Sequence, residues 1–583
     1  MTAGRRLIAV LWVFVLASLL MSCVSIPESS DVSPGRGMSA PEGAELINNI
    51  PPGPSPGQSQ LEVVQGFYGA MLAYPQTSAI AREFLTPKAA AKWTTQGLSV
   101  YEDQELVDNA RGVSLLARLV GHIDERGSWT SLQPSEVGRA TDLRLRQVER
   151  EWRIVNPPPG TFVSREYFDR YYDPFSLYFM DATRTVLTPD PVYALLGDTT
   201  ATALVSGLLE GPTKRLAAVV SVSTPRETEV DVSVSISDSG VAQVPLSEDF
   251  LQLSPEDRQL FAAQLAWTLR QVPEIERITL SVDGSEIDVP GVGEVFGVDE
   301  FAGFDPAGFA PSQTLFALGR KGLVKVVENT TSVVSGAPGE AGAVRSAAVS
   351  ITGTLGAYVP AGGGSVVVDS MARDDADEIG GTWFRFGTDL IKPSWDVHEV
   401  LWLVDRTPVG AKIYAVTEDK LRQVRAPGLD GAAIESFAVS RDGVRLAAVV
   451  AAKNSFRLVI ALINRDSQDP AKVALKAPTH IQVPGFSLTK GSNVAWASPT
   501  SVVALTTTDG GMPEPVEIAI DGSSQSETGG FLPARPVSVA AGPNEDAPVA
   551  FGTADGQIYA RSPDLLWLRV GGPRKLRSPF YPG

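Results

Sequence analysis

Ala438-Val439-Ser440-Arg441-Asp442-Gly443 closes a short apolar run in a tight polar turn, and the element recurs through the C-terminal half of the chain. Its copies are Ala348-Val349-Ser350, Trp395-Asp396 and Trp496-Ala497-Ser498. Positions 350, 396, 440 and 498 are separated by steps of 46, 44 and 58 residues. The first two steps match a propeller blade of ~40–50 residues, and the longer third implies an insertion near 466–484. A second element supports the period. Ile413-Tyr414-Ala415-Val416-Thr417-Glu418-Asp419-Lys420-Leu421 parallels Ile558-Tyr559-Ala560-Arg561-Ser562-Pro563-Asp564-Leu565-Leu566, with Leu315 to Leu323 as a weaker copy. One such unit cannot bury both faces of its sheet, so a core forms only when units stack. Residues 312–583 therefore read as an all-β propeller of about five or six blades.

Before the repeats, residues 292–311 are rich in Gly and Phe and read as a linker. Residues 190–291 read as a small α+β domain. Thr200 to Glu210 is a helix closed by Gly211-Pro212, and Val230, Val232, Val234 and Ile236 alternate as in a strand. Asp238-Ser239-Gly240 turns into Val241 to Leu246, and Ser254-Pro255 starts a helix with Asp257 in its first turn. The strand Ile278 to Val282 then ends at Asp283-Gly284. Leu208-Leu209-Glu210-Gly211-Pro212 and Ala266-Trp267-Thr268-Leu269, with 278–284, resemble a GerMN domain. Residues 161–189 remain as a connector. Residues 59–160 read as a second small α+β domain, of the cone-shaped NTF-like kind. It has a helix carrying Leu61, Val64, Phe67, Tyr68 and Met71, a short helix from Pro87 capped by Thr86, and strands near 113–120 and 142–155. The fold class is thus multidomain, two small α+β domains followed by an all-β propeller.

The chain's 583 residues are 43% apolar and 20% charged, too many for one core and enough for three or four domains. A net charge of −18 argues against a nucleic-acid partner and against a polybasic membrane patch. Three histidines (His122, His398, His480) and one cysteine lie far apart, which excludes a His/Cys zinc site and any intrachain disulfide. No cofactor is indicated.

The single cysteine has a telling position. Residues 1–22 form a signal peptide, with Arg5-Arg6 followed by a mostly apolar run from Leu7 to Leu20 that is too short to span a bilayer. The run ends in Leu20-Met21-Ser22-Cys23, which resembles a bacterial lipobox. That resemblance implies that Cys23 becomes the first residue, carrying a diacylglyceryl thioether and an N-acyl group. Two or more acyl chains anchor a protein stably. Arg5-Arg6 leaves Sec and twin-arginine export both open. Residues 23–58 turn to Ser, Pro and Gly and read as a flexible tether.

No G-x-S-x-G elbow, P-loop or H-E-x-x-H motif occurs. His398 or His480 could serve a serine hydrolase, but no nucleophile motif accompanies either, and a structural histidine is the heavier reading. Asp374, Asp375, Asp377 and Glu378 could hold calcium but lack the D-x-D-x-D-G spacing of a calcium loop. Trp383, Trp395, Trp402 and Trp496 could line a sugar-binding face or simply fill blade cores. Asn329-Thr330-Thr331 is a formal sequon of little weight in a bacterial chain. No catalytic residue is assigned.

The order lipobox, small α+β domain, GerMN domain and propeller resembles the LpqB lipoproteins of actinobacteria. Phe84-Leu85-Thr86-Pro87 with Trp93, Trp152-Arg153-Ile154 before Pro157-Pro158-Pro159-Gly160, and Tyr178-Phe179 carry the resemblance. Pro189-Asp190-Pro191-Val192-Tyr193 and the terminal Tyr581-Pro582-Gly583 add to it. The family implies an accessory role beside the MtrAB two-component system, contacting the extracytoplasmic domain of the sensor kinase from a lipid anchor, with links to envelope homeostasis and division. The alternative is a cell-wall glycan-binding or envelope-modifying protein.

Overall fold

The structure, a computed structural model, describes residues 48–583 apart from 110–111, 133–139, 223–226, 309–310, 372–379, 419, 454, 483–484, 508–510 and 543–546. The signal peptide, Cys23 and the tether to residue 47 lie outside the described residues, as does the acidic cluster 374–378.

The repeats build six sheets, each of four or five strands, in chain order. The first is completed by the C-terminal strand Arg577–Phe580, which pairs with Leu315–Leu318, so the last strand closes the ring onto the first blade. Six blades fall within the expected count. The recurring Ser/Asp element sits at the end of the innermost strand in blades two to five, and its side chain caps the turn that follows. Ser350 Oγ accepts from the Leu355 amide (3.0 Å), Ser440 Oγ from the Arg445 amide (2.9 Å) and Ser498 Oγ from the Thr500 amide (3.1 Å). The repeat is therefore a turn lock, which local side-chain to backbone bonding explains. The long third step holds strands Val473–Leu475 and Thr479–Ile481, both paired with Phe456–Arg465, as the insertion predicts. The copy at 315–323 is out of phase. Ile413 and Ile558 lie on third strands, whereas Leu315–Leu318 is a second strand, because blade one takes its innermost strand from the C-terminus.

In the N-terminal domain, helix Gln60–Ala70 starts at a capping box in which Ser59 and Glu62 bond each other's backbone amides. Its Val63, Val64, Phe67 and Tyr68 pack on the long hairpin Leu98–Asn109/Gly112–Ile123. Residues at the end of the expected tether belong to this domain. Asn49 pairs with Tyr74, and the Gly57 amide donates to Glu151 (3.0 Å). The expected connector 161–189 is structured as well. Thr161–Ser164 joins the N-terminal sheet in parallel with Leu98–Asn109, and helix Arg165–Tyr171 leads into the hairpin Tyr172–Asp181/Leu187–Leu195. Pro189 and Pro191 hide that hairpin from a pattern reading, but they occupy an edge strand, where a missing N–H costs no ladder bond.

The second domain begins with this hairpin. Helix Thr200–Glu210 ends at Gly211, whose φ of 88° only glycine adopts without strain. Val241–Leu246 and Arg277–Val282 pair in parallel across helix Pro255–Leu269, which starts at Ser254 as the sequence predicts. The strand expected over 230–236 shrinks to Ser235–Ile236 with one bridge from Val230 to Leu246. The segment expected as a linker at 292–311 is anchored to the second domain. Val295–Gly297 adds to the sheet, Phe296 and Phe301 are buried, and Trp267 Nε1 donates to the Phe301 carbonyl (3.0 Å). Its glycines suggested a linker, but its phenylalanines decide where it packs.

Candidate functional site at the domain seam

The described residues belong to one compact unit, and its strongest polar constellation joins the domains. Val444 and Leu462 of blade four lie in the same apolar cluster as the GerMN core. Around them, buried charges interlock. Arg445 Nη1 stands 3.3 Å from Asp442 Oδ2, and its Nη2 donates across the seam to the Pro189 carbonyl. Asp396 receives four donors: the amides of His398 (3.0 Å) and Val400 (3.2 Å), Trp402 Nε1 (2.8 Å) and Arg465 Nη2 (2.5 Å). Arg465 also donates to the Gly443 carbonyl (3.1 Å).

From the second domain, Asp181 enters at the hairpin turn. Its carboxylate accepts from the Thr183 hydroxyl (2.6 Å) and from the amides of Thr183, Thr185 and Val186, and lies 3.4 Å from His398 Nε2. Burial pushes this carboxyl up, but the His398 and Thr183 contacts outweigh it and hold it down at about 2. The neighbouring Asp190 ties in the N-terminal domain, accepting from Arg126 Nη2 (2.7 Å) and from the Thr213 amide (2.8 Å). Ser131 and Arg165 reach the blade-five turn, donating to the carbonyls of Gly522 (3.0 Å) and Ser523 (3.2 Å).

This seam holds three domains in one arrangement. His398 lies in the seam with Nε2 3.4 Å from Asp181, and His480 is exposed at the edge of blade four. No group of three or more His, Cys, Asp or Glu among the described residues is placed to hold a metal ion. Trp395, Trp402 and Trp496 are buried, so they fill blades rather than line a sugar platform; Trp383 is half-buried against Trp395. Asn329 sits in an exposed hairpin turn. A cleft of about 270 Å³ lies in the N-terminal domain beside Met71, Gln76, Thr77, Trp93 and Thr95. Trp93 cannot stack a ligand there, because Phe67 and the Arg82 guanidinium already lie against its ring at 5.4 and 5.3 Å.

Sequence reasoning found Asp396 and Asp442 as repeat elements but missed Arg465 and Arg445 as their partners, and Asp181 beside His398. The available signal was a charge set into an apolar strand, as in Arg445-Leu446-Ala447 and Ile463-Asn464-Arg465.

The seam also fixes a pH signature. A free aspartate titrates near ~3.9, so the Asp181 contribution is complete above about pH 5 and is lost as pH falls through about 4 to 2. Asp181→Asn should therefore cost about 2–3 kcal/mol at pH 6 and almost nothing at about pH 2, read as the difference in unfolding free energy from the native chain. A difference that stays constant with pH would contradict the assignment.

Three family descriptions match successive parts of the chain. The lipoprotein LpqB N-terminal domain matches residues 53–169, a sporulation and spore germination domain matches 176–288, and the lipoprotein LpqB beta-propeller domain matches 321–582. The lipoprotein LpqB of Thermobifida fusca is 28% identical over 100% of this chain and 99% of its own length. The chain belongs to the LpqB lipoprotein family. The LpqB of Cutibacterium acnes is 26% identical over 95% of this chain and 96% of its own length. Among solved structures, the first GerMN domain of the sporulation protein GerM from Bacillus subtilis is 22% identical, with a TM-score of 0.19 over 21% of this chain and 97% of that one. The relatives are named as lipoproteins, and no helix among the described residues is long and apolar enough to cross a membrane.

Proposed function

We propose that this LpqB chain is a non-enzymatic accessory protein, held at the extracytoplasmic face of the cell membrane by lipidated Cys23. There it contacts the extracytoplasmic domain of an MtrB-type sensor kinase and biases the MtrAB pathway that governs envelope homeostasis and division. The observation that carries the reading is the seam. Its buried polar residues fix three domains against one another. A rigid, tethered body suits a regulator, because confinement to one membrane surface raises effective concentration and lets weak contacts suffice. The chain from residue 24 onward, which retains every described residue, should bind the purified kinase domain saturably and leave peptidoglycan fragments unchanged. Turnover of those fragments, with no kinase binding, would move the weight to an envelope-modifying role.

A further inference from the structure

The propeller has one face left free by the smaller domains, and the fold gives it a charge opposite to that of the chain. Strand order places the turns after each innermost strand toward the seam. The turns between second and third strands, and the crossings into the next blade, gather on the far side. Three hydrogen bonds tie them together there: Gly342 amide to Lys321 carbonyl (2.8 Å), Gly387 amide to Gly364 carbonyl (2.8 Å) and Leu576 amide to Gly556 carbonyl (2.9 Å). By strand order the same side carries Arg320 and Lys321 on blade one, Arg385 after blade two, and Arg574 and Lys575 after blade six.

All five side chains are exposed and none makes an ion pair within 4.0 Å among the described residues. Of the carboxylates near these residues, Asp389 is already held between Arg345 and Arg406, Asp555 bonds Thr553 and Gln557 beside Lys575, Glu340 stands alone, and exposed Glu328 sits where its carbonyl accepts from the Gly571 amide (2.7 Å). Next to Arg385, Phe386 is 97% exposed, and its φ of 69° places it in the left-handed region. A bulky residue is strained there. Among the described residues the ring packs on no other aromatic. The net charge of −18 argues against such a face, but the fold sorts the charges that the sum conceals.

We propose that this face lies against an anionic phospholipid surface, with Phe386 entering the headgroup layer and the five cations set over lipid phosphates. Cations combined with an exposed apolar tip form the pattern of interfacial binding. Fully extended, the 25 residues from Cys23 to Ile47 would reach roughly 85 Å, so an anchor at Cys23 allows this face to meet the bilayer. The acyl chains would supply retention, and the basic face orientation. The inference is independent of the kinase contact and survives its failure.

The test is co-sedimentation of the chain from residue 24 onward with phosphatidylcholine vesicles, alone or containing about 30% phosphatidylglycerol. Binding is expected only to the anionic vesicles and should disappear at about 0.5 M salt, where the screening length falls below about 5 Å. Each cation is worth about fivefold, so Arg574→Ser with Lys575→Ser should weaken binding about 25-fold. Phe386→Ser should weaken it several-fold with folding unchanged. No binding to the anionic vesicles, equal binding to neutral ones, or binding indifferent to all three substitutions would overturn the proposal.

Discussion

Asp396→Ala should destabilise the chain by about 3–5 kcal/mol, the usual cost of stripping one partner from a buried ion pair. The carboxylate and the Arg465 guanidinium are 0% and 3% exposed, so no water replaces the lost contact. Arg465 would keep the Gly443 and Pro470 carbonyls but lose its one counter-charge among the described residues, while Trp402 Nε1 and two turn amides lose their acceptor. Each unsatisfied buried donor adds about 1–3 kcal/mol in isolation, and the terms overlap rather than sum. The midpoint of urea unfolding measures the effect, and a shift worth less than about 1 kcal/mol would show that water or rearrangement fills the site. Pairing the change with Arg465→Leu should recover part of the loss, since a buried pair replaced by apolar groups is often neutral.

Cys23→Ala should block acylation and lipoprotein-type cleavage, so that any processed chain loses its membrane retention. The thiol is the one side chain able to form the thioether, and the chain contains no other cysteine. No helix among the described residues can substitute as a membrane span. The basic propeller face would add only weak, salt-sensitive attraction, so at high salt the variant should be entirely soluble after signal removal or stay uncleaved at the signal peptide. Detergent phase partitioning separates the outcomes. A processed variant that still enters the detergent phase would contradict lipidation at Cys23.

The propeller was legible because its repeat element has a local cause: Ser350, Asp396, Ser440 and Ser498 each lock a turn with their own side chain, so they recur wherever the turn recurs. Helices 200–210 and 255–269 were legible for the same kind of reason, since Gly211 and Ser254-Pro255 mark their ends. What stayed hidden depends on contacts distant in sequence. The hairpin 172–195 carries prolines that are harmless only on an edge strand, and residues 292–304 look like a linker until Phe296 and Phe301 find the GerMN core. The seam was hidden for the same reason: Asp181 and His398, or Arg445 and Pro189, are 217 and 256 positions apart. Net charge could not report the exposed Arg320, Lys321, Arg385, Arg574 and Lys575, because a sum over the chain does not say where the fold places its cations.

Because Val444 and Leu462 belong to the GerMN core, fragments cut between the domains would expose apolar surface, and the intact chain is the proper analyte. Direct contact with the kinase is best measured by surface plasmon resonance, passing the chain from residue 24 onward over the immobilised extracytoplasmic kinase domain. Tethering both partners to one membrane gives an effective concentration on the order of millimolar, so regulation requires a saturable response with a Kd below about 1 mM. A response that saturates in that range, and that an unrelated sensor domain does not give, is the expected result. A flat response up to that concentration would contradict the direct-partner account.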